Sequence, residues 1–132
     1  MSSMSAIEQI KKKLLEYPEV TYQDEDNTFI IYSKTPKGFD IIVIKDPNEY
    51  IVCFGNCHTH FDSDKEVVDF VGFGLSDNCR VREFKRGNKA YKWIIESKEG
   101  DDWQCCYITG SFFFPFWKSK SEVVYQNRII VK

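Results

Sequence analysis

Four clusters of turn-forming residues cut this chain into short runs of β-forming residues, and that punctuation limits its fold more than any other feature. Thr35-Pro36-Lys37-Gly38, Asp46-Pro47-Asn48-Glu49, Arg86-Gly87-Asn88-Lys89 and Lys98-Glu99-Gly100-Asp101-Asp102 supply the Pro, Gly, Asn and Asp residues that tight turns need. Between them lie β-branched and aromatic runs: Thr28 to Lys34, Phe39 to Lys45, Tyr50 to Gly55, Cys79 to Lys85, Ala90 to Glu96 and Trp103 to Thr109. A last run, Glu122 to Val131, closes the chain. Turns this short join neighbouring strands as hairpins, so the pairing they predict is antiparallel.

Two segments carry helical periodicity instead. Ser5 and Glu8 have capping-box spacing, and Ile7, Ile10, Leu14 and Leu15 form a stripe that Tyr17-Pro18 ends. The acidic stretch from Glu19 to Asp26 reads as a loop. Ser63 and Glu66 repeat the capping spacing ahead of Val67, Phe70 and Val71, with Gly72 and Gly74 as the stop signal. The predicted order is α-β-β-β-α-β-β-β-β, an α+β fold with a mostly antiparallel sheet of six to seven strands and two helices on one face. At 132 residues, 42% hydrophobic and 29% charged, the chain can bury an ordinary core, and residues 1–132 read as a single domain.

The 18 basic and 20 acidic residues read as interspersed, with a net charge of −2. Lys11-Lys12-Lys13 comes nearest to a basic stripe, and a solvated helix face accounts for it, so no nucleic-acid partner is expected. No run approaches the roughly 20 apolar residues of a membrane span, and Met1 to Ala6 has no apolar signal core. The expectation is a cytoplasmic protein without membrane association. Its five cysteines, an odd number, then read as reduced thiols that pack as small hydrophobes. Of the adjacent Cys105 and Cys106, one is expected in the core.

Both histidines fall in Phe54-Gly55-Asn56-Cys57-His58-Thr59-His60-Phe61-Asp62-Ser63-Asp64, between a strand end and a helix start. If that backbone is extended, His58 and His60 share a side, and with Asp62 or Asp64 they could ligate a divalent metal. A metal-dependent hydrolase is the corresponding function. Hydrolases that begin with His-x-His-x-Asp need further histidines downstream, and this chain has none. The competing reading gives Asp62 or Ser63 a helix cap and the histidines hydrogen bonds in a turn, with no cofactor. A catalytic thiol at Cys57 is disfavoured, because an adjacent His58 on a strand points to the opposite face.

Phe112-Phe113-Phe114-Pro115-Phe116-Trp117 is the second unusual segment. Pro115 bars it from a central strand, so it either fills the core or exposes an apolar patch to a partner. Trp93, Trp103, Phe113, Phe116 and Trp117 are the candidate interface, and a protein partner or self-association follows from it. The chain carries no phosphate-binding loop, dinucleotide fingerprint or nucleophile elbow.

From Tyr50 to Trp103 the chain resembles small uncharacterised bacterial proteins in which a strand ends in Gly-x-x-His-x-His-Phe-Asp, here Gly55 to Asp62. In those proteins an acidic helix and a basic hairpin follow, as they do here from Ser63 and around Gly87-Asn88. Cys57 stands where that pattern tends to have a bulky aromatic residue. The resemblance implies a cytoplasmic immunity-like or accessory protein of a toxin system, and no established activity. A non-enzymatic interaction protein is therefore the leading expectation.

Overall fold

The computed structural model describes residues 5–110 and 115–130. Its order is α1 (Ala6–Leu14), β1 (Tyr22–Glu25), β2 (Thr28–Ile31), β3 (Ile41–Lys45), β4 (Tyr50–Phe54), β5 (Cys57–Phe61), α2 (Asp64–Leu75), β6 (Cys79–Arg86), β7 (Lys89–Glu99), β8 (Asp102–Gly110) and β9 (Lys120–Tyr125). The α+β class stands, but the strands form two antiparallel sheets in place of one. The first is a five-stranded meander, β1-β2-β3-β4-β5; the second has the order β8-β7-β6-β9. No described helix is long and apolar enough to cross a membrane.

The two additional strands, β1 and β5, come from segments whose composition predicts loops. Tyr22–Glu25 is wholly exposed, yet its backbone pairs with Thr28–Ile31 across a turn in which Asn27 takes a positive φ of 60°. Edge strands need no apolar face, so its acidic composition hid it. The histidine segment is likewise a strand, with Gly55 at φ 60° turning Phe54 back onto Cys57.

Helix α1 begins at Ser5, whose Oγ accepts the Glu8 N–H, and buries Ala6, Ile10 and Leu14. Leu15 falls off the stripe and is 78% exposed. Helix α2 runs through both glycines to Leu75. A Cβ at Gly74 would collide with the Phe54 ring, whereas Gly72 faces open space. Gly74 therefore serves close packing of helix on sheet rather than helix termination. Phe54 lies 4.3 Å from Phe70 in a parallel stack and 5.1 Å from Phe39, at the middle of the core.

The inner face of the first sheet carries Phe29, Ile31, Ile41, Val43, Val52 and Phe54. Helix α2 and the inner side of the second sheet pack on this face, and α1 packs on α2. Cys57 Sγ meets Thr109 Oγ1 at 3.3 Å where β5 passes β8. After β9 the chain returns to the end of α2, where Ile129 and Ile130 donate to the Leu75 carbonyl. Asn127 joins three segments: its Oδ1 accepts the Phe39 N–H at 2.9 Å, and its Nδ2 donates to the Gly74 carbonyl at 3.1 Å. Of the run Glu122 to Val131, residues 122–125 are strand and 126–130 form this docked tail, while Val131 lies outside the described residues.

Candidate functional site

In β5 the alternation settles where each side chain goes. Cys57 is buried, and Thr59 and Phe61 are half-buried on the same side, while His58 and His60 project outward with ring centroids 5.7 Å apart. His60 Nδ1 lies 2.8 Å from Oε1 of Glu49, on the preceding turn. Asp62 is exposed just past the strand. Asp64 belongs to a different assembly: its Oδ1 accepts the N–H of Ala6 at 3.1 Å and the hydroxyl of Tyr50. Burial, and then that hydrogen bond, raise the Tyr50 phenol above its ordinary range. Asp64 thereby fastens the start of α1 to the start of α2, and Ser63 caps α2 by accepting the Glu66 N–H.

The histidines are together, but Asp64 is not with them. Among the described residues no three His, Cys, Asp or Glu side chains gather as a metal ion would require.

The cysteines divide by depth. Cys57 and Cys79 are buried and Cys53 half-buried, and burial raises all three thiols, so thiolate is disfavoured where a nucleophile would need it. Cys105 and Cys106 are both exposed, so neither sits in the core. Cys105 pairs with Glu96 and Cys106 is the extra residue of a bulge on an edge strand, where strict alternation fails.

Each sheet also has an outer face that no described element covers. On the first sheet, Ile30, Ile42 and Cys53 stand in one cross-strand row ending at His58. Ile44 and Ile51 stand in the next row, which ends at His60. On the second sheet the outward positions of β6 are Arg80, Arg82, Phe84 and Arg86. Arg82, Lys92 and Lys120 place their cationic groups 5.0 to 5.6 Å from the Phe84 ring centroid. Glu96, 6% exposed, accepts from Arg80 Nε at 2.6 Å and Arg82 Nη1 at 3.3 Å, and Glu122 accepts from Arg82 Nη2 at 2.7 Å. Among the described residues no carboxylate pairs with Arg86, Lys92 or Lys120, and Arg86 Nε is buried without a hydrogen bond.

Charge is therefore not interspersed. Through Asn78 the chain has seven Lys or Arg against fourteen Asp or Glu; after it, eleven against six. The signal was in the sequence as Arg80-x-Arg82-x-x-x-Arg86, at strand period on one face.

The aromatic candidates part company. Trp93 is half-buried with its indole N–H on Glu83, and Trp103 lies beneath the Arg80 guanidinium at 4.2 Å. Phe116 and Trp117 are 70% and 73% exposed, edge to face at 5.3 Å. They lead into Lys118, whose carbonyl accepts from Arg86 Nη1. Phe113 lies outside the described residues. Sequence reading missed Glu83 and Tyr125, although Cys79-x-Val81-x-Glu83 puts a carboxylate on an inward position of an apolar alternation. Compared with known proteins, the chain matches no family model, no curated protein and no solved structure.

Proposed function

We propose that this protein is a non-catalytic binding module that docks an acidic protein surface on the outer face of its second sheet. The observation that carries the reading is the uncovered cationic field around Phe84, in which Arg86, Lys92 and Lys120 have no carboxylate among the described residues. Such a field speeds encounter with a negative partner and fixes its orientation. The exposed Phe116 and Trp117 adjoin it and supply the apolar anchors that interface centres use. A protein partner suits the face better than nucleic acid, because Phe84 is only 8% exposed beneath its cations and offers no free ring for base stacking. An immunity-like or accessory role, as the sequence resemblance implies, belongs to the same class of stoichiometric protein binding.

The test compares the wild-type chain with Arg86→Glu/Lys92→Glu/Lys120→Glu as baits in lysate of its host. The expected result is one acidic protein retained at low ionic strength, released by salt and lost by the variant. Equal retention by both baits, or retained material that nuclease removes, would overturn the proposal.

A further inference from the structure

Where the two sheets meet, a half-open cleft of about 160 Å³ has Phe39, Trp93 and Tyr125 among its walls, with Asn56 at its edge and Glu83 within it. Glu83 is 8% exposed, on the inner face of β6 beyond Val81. A carboxylate that far from water needs strong compensation. Glu96, buried to a similar degree on the opposite face, has it in two guanidinium groups.

Glu83 is served differently. The Trp93 indole N–H donates to its Oε2 at 2.8 Å and the Tyr125 hydroxyl to its Oε1 at 3.4 Å; both donors are neutral. Its one cation among the described residues is Lys85, whose Nζ lies 3.6 Å from Oε1 on a partly exposed side chain. The two neutral donors fix the carboxylate's orientation without cancelling its charge. The fixed carboxylate attracts a cation, and the aromatic walls suit the alkyl groups of an organic one. The volume suits a small head group and is too small for a nucleotide.

We infer that this cleft binds an organic ammonium group, with Glu83 as counter-ion and Trp93 and Tyr125 as the groups that hold Glu83 in place. The incoming ammonium takes over the countercharge role that Lys85 fills from a partly exposed side chain. The same chemistry has two sources, a free small amine or the lysine end of a partner polypeptide. The site is separate from the cationic outer face, so it stands or falls independently of the docking proposal.

The experiment follows the Trp93 indole N–H by ¹H–¹⁵N NMR while the full chain is titrated with tetramethylammonium, with a lysine-containing tripeptide, and with neopentane-shaped neutral alcohol as control. The expected result is a saturable shift with one or both cations and none with the alcohol. Saturation by tetramethylammonium alone assigns the site to small amines; saturation by the peptide assigns it to a partner's lysine. Glu83→Gln, which keeps the side chain's shape, should weaken binding at least tenfold, a loss of about 1.4 kcal/mol. Lys85→Met, which removes the competing ammonium at a partly exposed position, should leave binding intact or tighten it. No saturable shift with either cation, or an equal shift with the alcohol, overturns the inference even if Glu83→Gln does not fold. Unchanged affinity in a folded Glu83→Gln overturns it as well.

Discussion

The two sheets share a core but differ in what holds each together. The first buries Phe29, Val43, Val52 and Phe54 on its inner face and carries isoleucines even on its outer one. The second buries carboxylates on both faces, Glu83 inward and Glu96 outward, and Arg80 and Arg82 tie its central strand β6 to β7 through Glu96 and to β9 through Glu122. Burial of apolar surface is non-directional, whereas a buried ion pair is directional and costly to break on one side. The contrast sets an apolar sheet against a charge-laced one that carries the proposed docking face, and it can be broken by substitution.

The largest loss is expected at Phe54, which stacks on Phe70 and fills the space left by Gly74. Phe54→Ala should cost about 3–5 kcal/mol in urea unfolding, with little dependence on ionic strength. Glu96→Gln comes next, at about 2–3 kcal/mol, because Arg80 and Arg82 lose the anion they surround. If Glu96→Gln costs as much as Phe54→Ala, ion pairing in the second sheet holds the fold as firmly as apolar burial does in the first.

How far these features could be read in advance depended on the physics behind each. Hairpin turns were legible because Gly87 and Gly100 take positive φ of 62° and 63°, a conformation that glycine favours strongly. Helix caps at Ser5 and Ser63 were legible because capping is local. The split into two sheets was not, since it depends on which distant strands meet, and no local signal records that β9 pairs with β6 rather than β8. Gly74 misled for a related reason: the partner that demands its missing side chain, Phe54, is twenty positions away. At the candidate site, the shared side of His58 and His60 followed from strand period, but the capture of Asp64 by Ala6 and Tyr50 is purely tertiary.

Alkaline pH probes the seam between the sheets. Burial raises the thiols of Cys57 and Cys79, on β5 and β6, above their reference value of 9.0. Below the unfolded-state value both forms hold the proton and stability is unaffected. Above it the unfolded chain ionises first while the folded chain retains its protons, so stability falls as pH rises. Urea midpoints measured under reducing conditions should therefore drop between about pH 8 and about pH 10. A Cys57→Ala/Cys79→Ala variant, though weaker at both values, should show a shallower drop. Tyr50 and Tyr125, also raised by burial, leave a remainder of the same sign. An identical drop in the variant would mean that the thiols at the seam do not set the alkaline limit.

The smallest effects belong to the two outer faces, and there the comparison is sharpest. Ile44→Lys and Lys92→Glu each alter a half-buried side chain on an uncovered face. Ile44→Lys should cost up to about 1 kcal/mol, because Ile51 and Thr28 lose an apolar neighbour while the long lysine stem still covers them. Lys92→Glu should change stability by about 0.5 kcal/mol or less, since the lysine makes no ion pair among the described residues and loses only its approach to Phe84. The binding readout should reverse that ranking: Lys92→Glu weakens capture of the acidic partner and Ile44→Lys leaves it alone. Stability measured by urea and capture measured at low salt then report on different faces of one molecule. Were Ile44→Lys the variant that abolished capture, the recognition surface would have to move to the aliphatic face beside His58 and His60.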